Sequence, residues 1–502
     1  MNTPALAHFD YSVSTRVLES AEAQALVLLF SPTGPYQTTA DAALSAHISA
    51  YQRALQNKST KAEWFCTVEL TSAAKTHHLL LMADHFGPTL PGTERRKTAA
   101  AQAVEVCRRY SLTHLVFALP SENAAKVAVD LFEGIFLGDF ADLRYKSAPE
   151  SKNPLRIEFT TTTEAMESVQ AALKRHECII RGTQLARELV NAPNNALTPE
   201  AFCNVAFHLA TSHPELSVSA HVGDMLEILG CNLIYAVGKG CEAPPALLIL
   251  RLPGTDATRR PLFLVGKGVC FDTGGYCIKD GNNMHKMNGD MGGGAAVLGA
   301  MIAFAELRPA FPVVAVIPLA INAISGNAYM PGCIVASKGG KTVYVENTDA
   351  EGRLLLADAF GMLPELGYQT GDTVVNLATL TGAAITALGE RIGALFSNDA
   401  ELGQTFQKAG ETTGDNVWPL PLWPEYLPTI QHSLADLCNM SSHAPAGGAI
   451  HAANFLEQFL PEGARWVHLD MSRPARAAKG TRYYKEGATG FGVRLLVEAL
   501  NP

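Results

Sequence analysis

The sequence lacks several things that common hydrolases and binding proteins need. Its ten cysteines are scattered and include no CxxC pair, so they read as reduced thiols rather than as a disulfide framework. No HExxH helix and no GxSxG elbow occurs, which removes the one-zinc protease and the serine hydrolase. Gly340-Lys341-Thr342 matches the end of a phosphate-binding loop, but Val335 stands where that motif requires glycine. Positive charge is in deficit, with a net charge of −9 and a pI near 5.9. Nucleic-acid binding, which needs a basic face to neutralise phosphates, is therefore not expected. No stretch reaches the ~18 uninterrupted apolar residues of a membrane span. Residues 1–10 carry neither a basic region nor a long apolar one, so no signal peptide is expected, and the location expected is cytoplasmic.

What is present describes an ordinary globular protein of two or three domains, with 47% apolar and 17% charged residues in 502. Residues 1–162 alternate short apolar strands (25–30, 65–70, 78–82, 114–119, 154–160) with helices (42–55, capped by Asp41, then 98–110 and 124–136). The rhythm predicts a small N-terminal α/β domain, and no phosphate-binding fingerprint occurs in it. A connecting helix is expected over 163–190, with Gly182 a point where it can divide. Asn191-Ala192-Pro193 stops it, because proline disfavours helix in the residue before it. Residues 191–502 alternate again. Strands are expected at 232–236, 246–251, 261–265, 313–319, 342–345, 373–377, 394–397 and 466–470. Helices are expected at 295–307, 354–366, 402–410, 449–460 and 490–499. This predicts a larger C-terminal catalytic α/β domain with a mixed central sheet flanked by helices.

Two stretches carry chemistry. Asn347-Thr348-Asp349-Ala350-Glu351-Gly352-Arg353-Leu354 places two carboxylates and a guanidinium two residues apart. In an extended loop alternate side chains point the same way, so all three are expected to face one cavity. Upstream, the strand 261–265 leads into Lys267, Asp272 and Lys279, and Asp290 precedes Gly292-Gly293-Gly294, a run that reads as close helix packing. Groups just past the C-terminal end of a strand stand where open α/β sheets bind ligands. Four acids (Asp272, Asp290, Asp349, Glu351) suit a pair of divalent ions better than one. His285, in the same loop, reads as a solvated histidine.

These segments resemble the signature blocks of the leucyl aminopeptidase family, the dimetal cytosolic aminopeptidases. The block 347–354 matches that family's best-known motif residue for residue. The spacing 267–272–279–290 fits as well, as do Asn191-Ala192-Pro193 through Pro199 and Ala378-Thr379-Leu380-Thr381-Gly382-Ala383. Phe271 to Tyr276 and Ser325 to Tyr329 look most like the bacterial peptidase B branch.

The resemblance implies a metal-dependent aminopeptidase with two divalent ions, zinc or manganese. One would be held by Asp272, Asp349 and Glu351, the other by Lys267, Asp272, Asp290 and Glu351. Lys279 would stabilise an oxyanion. Arg353, with Gly352 and Leu380, would hold a bicarbonate-like anion that shuttles a proton. Met287, Thr379 and Gly382, with Lys279 and Asp290, would surround the substrate, a peptide with a free N-terminus. Ser472-Arg473 departs from the small and apolar residues of the best-known members, so a broad preference that includes leucine is expected. The family further implies a homohexamer, and a regulatory or assembly role for the N-terminal domain. The alternatives weighed are a DNA-binding or structural assembly protein on the same scaffold, and another two-metal hydrolase such as a phosphoesterase.

Overall fold

The computed structural model describes residues 9–14, 25–30, 65–72, 75–83, 91–147, 153–256, 258–440, 446–478 and 482–501. The helix expected at 42–55 lies outside them. By contacts the chain forms two compact units, one from residues 5–180 and 478–485, the other from 181–477 and 486–502. The division falls inside the helix Met166–Asn191, which runs unbroken past Gly182.

In the first unit, strands β1 (Phe9–Ser14), β2 (Ala25–Phe30), β3 (Phe65–Ser72), β4 (Lys75–Ala83), β5 (His114–Ala118) and β6 (Leu155–Thr160) form one sheet in the order β1-β6-β5-β2-β4-β3. All neighbours are parallel except β3 and β4. The helices Gly92–Arg109 and Ala124–Asp139 belong to this unit. Lys97, fully buried, pairs with Glu133 at 2.7 Å. Glu94, also buried, is met by Arg482 and, at 3.2 Å, by Tyr483 from the returning segment 478–485.

The second unit holds β7 (Ser217–Val222), β8 (Ala246–Leu252), β9 (Leu262–Gly266), β10 (Gly268–Asp272), β11 (Val313–Asn322), β12 (Ile334–Ala336), β13 (Thr342–Tyr344), β14 (Thr373–Ala378), β15 (Gly393–Ser397), β16 (Val417–Pro419), β17 (Leu437–Cys438) and β18 (Arg465–Asp470). Its main sheet runs β16-β15-β18-β14-β9-β11-β8-β7, with β10 also on β11, and β12-β13-β17 form a small separate sheet. The mixed sheet is the one expected. Strands β18, β14, β9, β11 and β10 are mutually parallel, so their C-terminal ends share one edge. Burial on both faces explains the nearly continuous apolar run of β11.

Two sequence expectations need correction. The segment 232–236 was expected as a strand but lies in the helix Asn232–Gly238. Asp358 Oδ2 accepts its first free N–H groups, from Leu233 at 2.7 Å and Ile234 at 3.0 Å, a remote cap that a local reading cannot include. The chain after Lys267 was expected as loop but re-enters the sheet as β10. Lys267 stands in the break, where β14 ends beside β9, and its N–H goes to Leu377 O at 3.0 Å.

The segment Met287–Leu307 is long and apolar enough in composition to cross a membrane, but 89% of its apolar window is buried inside the protein. Its glycine run packs, as expected: a Cβ on Gly293 would lie 2.1 Å from Leu377 O. The described cysteines are free thiols.

Candidate active site

The shared C-terminal edge of the parallel strands gathers the acids. Asp272 ends β10, Asp290 precedes the helix Gly292–Leu307, and Glu351 immediately precedes the helix Gly352–Met362. All three are buried, and one carboxylate oxygen from each lies within 4.8 Å of the others. Two lysines hold the cluster. Lys267 Nζ lies 2.9 Å from Glu351 Oε1 and 2.8 Å from Asp290 Oδ2, and donates to Thr379 O at 2.8 Å. Lys279 Nζ lies 2.7 Å from Asp272 Oδ2 and also pairs with Asp349 Oδ1. Asp349 thus joins the cluster through Lys279, at its more exposed side.

The expected extended loop is not what aims these groups. Glu351 already has helical dihedrals, and Arg353 is in the first turn of the helix. Asp349 and Glu351 converge, but the Arg353 guanidinium turns to another partner, with Nη1 donating to Asn439 O at 2.7 Å. Arg353 Nε is buried without a hydrogen-bond partner.

Burial dominates the electrostatics. It pushes Glu351 up to about 8, with Asp272 adding to the effect against Lys267. It pushes Asp290 up to about 6 although Lys267 opposes it. Asp349 also lies above its ordinary value, through burial and then Asp272. Burial alone would lower both lysines, but Asp290, Glu351 and Asp272 hold Lys267 above its usual range, and Asp272 and Glu351 do the same for Lys279. Arg353 is drawn down to about 10 by burial. The carboxylates are therefore short of compensating positive charge.

The donor set fits divalent cations. Glu351 Oε2 is buried with no hydrogen-bond partner, and Asp290 Oδ2 has only the ion pair with Lys267, without hydrogen-bond alignment. Carboxylate oxygens left in this way are costly unless a cation meets them.

Several residues that the sequence did not single out complete the site. Asn322, at the end of β11, donates from Nδ2 to Asp272 Oδ1 at 2.8 Å and to Thr348 O at 2.9 Å. Tyr329 Oη also donates to Thr348 O, at 2.8 Å. Thr348 Oγ1 in turn donates to Gly274 O, which ties the two signature stretches together. Gly274 has φ +85°, and a Cβ there would lie 2.8 Å from Asp349 Oδ1, so the turn admits only glycine. The one available signal for Asn322 was its place at a strand's C-terminal end.

Of the remaining expected residues, Thr379 touches the cluster directly. Thr379 Oγ1 donates to Asp290 Oδ1 at 2.7 Å. Leu380 donates its N–H to Asp470 Oδ1 at 3.1 Å, and Thr381 Oγ1 donates to Asp470 Oδ2 at 2.6 Å. Met287 is half-buried, and Gly382 is exposed with open space around its Cβ position. Ser472 supports the same loop, its Oγ accepting from Thr381 N at 3.0 Å, while Arg473 pairs with Glu390 at 2.8 Å. His285 is exposed and stands outside the cluster.

Comparison with known proteins agrees with this geometry. Residues 184–497 match the model of the cytosol aminopeptidase family, catalytic domain. A probable cytosol aminopeptidase of Geobacter sp. (strain M21) is 40% identical over 410 residues, 81% of this chain and 82% of that protein. One from Syntrophotalea carbinolica is 42% identical over 386 residues, 76% of each chain. Among solved structures, the bottromycin maturation enzyme BotP in complex with Mn superposes with a TM-score of 0.80 at 32% identity, over 95% of this chain and 99% of that one. The chain belongs to the cytosol aminopeptidase family, and with it to the metal-dependent aminopeptidases.

Proposed function

We propose that the protein removes N-terminal amino acids from peptides with two divalent ions, zinc or manganese, held in the carboxylate cluster. The observation that carries this reading is the buried trio Asp272, Asp290 and Glu351, one oxygen of which has no partner. Lys267, Asp272, Asp290 and Glu351 would hold one ion. Asp272, Asp349 (also through its backbone carbonyl) and Glu351 would hold the other. Lys267 must shed a proton to serve as a ligand, and two cations beside it would depress its pKa enough for that. Bound there, the ions supply a water of lowered pKa and polarise the scissile carbonyl.

The chain's own groups do the rest. Lys279, already reaching toward the cluster, stabilises the oxyanion with a fixed charge in a half-buried place. Arg353, with the backbone of Gly352 and Leu380, holds a bicarbonate-like anion that carries the proton. The N-terminus of the helix Gly352–Met362 favours negative charge at that point. Met287, Thr379 and Gly382 line the pocket for the N-terminal side chain. Adaptable Met287 and the open space at Gly382 favour broad preference that includes leucine.

The functional division is residues 1–162, a connecting helix 163–190 and the catalytic domain 191–502. The protein acts in the cytoplasm as a homohexamer. The test is hydrolysis of leucine amide by chelator-stripped protein, before and after adding manganese or zinc, with N-acetyl-leucine amide as the blocked control. Metal-restored activity on the free amine alone is expected. Folded protein inactive with either metal would overturn the reading.

A further inference from the structure

A buried carboxamide is costly unless both of its ends are satisfied. Asn439, directly after β17, is fully buried. Its Oδ1 accepts from Glu346 N at 2.9 Å and from Asn347 N at 3.2 Å. Its Nδ2 donates to Asn347 O at 2.7 Å and to Ala350 O at 3.3 Å. The two lone pairs and two N–H groups of the amide are thereby all spent, and all on the backbone of residues 346–350. The main chain of Asn439 extends the grip in both directions: its N–H goes to Tyr344 O at 3.1 Å, and its carbonyl accepts from Arg353.

The stretch so held lies between the end of β13 and the start of the helix Gly352–Met362 and has no regular structure of its own. Its internal bonds are Ala350 N to Asn347 O at 3.2 Å and Asp349 N to Asn347 Oδ1 at 2.7 Å. Both run through Asn347, whose main-chain N–H and carbonyl are themselves bonded to Asn439. Asn322 and Tyr329 fasten Thr348 O from elsewhere in the site. The direction in which Asp349 and Glu351 leave this backbone therefore depends on a residue that touches neither carboxylate.

The geometry points to Asn439 as a positioning residue for the metal-binding loop: its carboxamide sets where Asp349 and Glu351 present their oxygens, and so how tightly a divalent cation is held. This rests on the two-metal reading above. Partners that orient metal ligands from behind commonly change metal affinity by about 10- to 100-fold when removed.

The experiment is a Mn²⁺ titration of chelator-stripped wild type, Asn439→Ala and Asn439→Asp, with free Mn²⁺ read by electron paramagnetic resonance, alongside leucine amide kinetics at saturating metal. Asn439→Asp keeps the size and the bonds from Glu346 and Asn347 N–H but turns a negative oxygen toward two carbonyls. It carries the test if Asn439→Ala does not fold. We expect folded variants that bind Mn²⁺ at least about 10-fold more weakly at one site, and a fall in kcat larger than any rise in KM. Variants that titrate with wild-type affinity would overturn the role of Asn439, whatever their melting temperature. Wild-type protein that binds no Mn²⁺ would instead overturn the metal reading itself.

Discussion

Gly352 and Lys267 meet so closely that no side chain fits between them: a Cβ on Gly352 would lie 2.4 Å from Lys267 Cε and 2.8 Å from Nζ. The glycine that opens the helix Gly352–Met362 therefore gives Lys267 its path to Glu351 and Asp290. Gly352→Ala should push the ammonium off both acids. A displacement of about 1 Å in such a site costs on the order of 100-fold in rate. Leucine amide kinetics at saturating metal, with circular dichroism as a folding control, will measure it. Wild-type kcat/KM in the variant would mean that Lys267 has slack.

Lys279 pairs with Asp272 and Asp349, the acids assigned to one cation. Lys279→Met should lower kcat by about 10²- to 10³-fold, the range for loss of one oxyanion donor. It should not weaken Mn²⁺ binding, because it removes a positive charge that competes for the same oxygens. Paired kinetics and metal titration will separate these effects. A large loss of metal affinity with kcat preserved at saturation would reassign Lys279 to a structural role.

Asp358 is fully buried and accepts backbone N–H groups from Leu233, Ile234 and Lys338, the last at 2.7 Å. Asp358→Ala leaves these donors without a partner, at about 1–3 kcal/mol for each one that water does not reach. Denaturant unfolding should show a loss of about 3 kcal/mol or more. Activity per folded molecule should stay near wild type at low temperature. Stability within about 0.5 kcal/mol of wild type would show that water replaces the carboxylate.

His468 makes stability depend on pH. Trp466 Nε1 can only donate, and it donates to Asn376 Oδ1 at 2.8 Å, so Asn376 Nδ2 faces His468 Nδ1 at 2.8 Å. The imidazole proton is thus on Nε2. Burial, aided by Arg353, draws the pKa from 6.5 down to about 3. Between those values the unfolded chain binds a proton that the folded one refuses. Stability therefore falls as pH drops below 6.5 and is unaffected by this group above it. The loss at pH 5 is about 2 kcal/mol. His468→Gln, which keeps an acceptor for Asn376, should lose that share of the slope. Denaturant unfolding of metal-free protein at pH 7 and pH 5 will check it, and equal slopes would clear His468 of the effect.

Much of this site was legible because its acids and lysines stand at strand ends or just before apolar helices, where charge is conspicuous against apolar runs. Lys267, Asp272, Asp290 and Glu351 come together from that pattern. The alternation argument for 349, 351 and 353 reached the right neighbourhood by the wrong geometry, since the helix begins at Gly352 and carries Arg353 away to Asn439. Asn322 and Asn439 were not legible, and Tyr329 was legible only as the end of a family-like segment, without a role. All three are neutral, and the backbone groups that they hold lie far along the chain. The helix 232–238 was misread for the same reason: Leu233-Ile234-Tyr235-Ala236-Val237 looks like a strand until Asp358 is known to cap it.

The chain crosses between its two units at 180/181, 477/478 and 485/486. No single break separates the two units: a cut at 180/181 parts residues 5–180 from 478–485, and a cut at 477/478 or 485/486 parts residues 181–477 from 486–502. The same holds for exchange between relatives. A fragment ending in the helix Met166–Asn191 leaves the buried Glu94 carboxylate without Arg482 and Tyr483. A hybrid joined once in that helix sets one parent's Glu94 against the other parent's 482–483 segment. A chimaera that keeps this pairing intact has to be spliced on both sides of residues 478–485 as well.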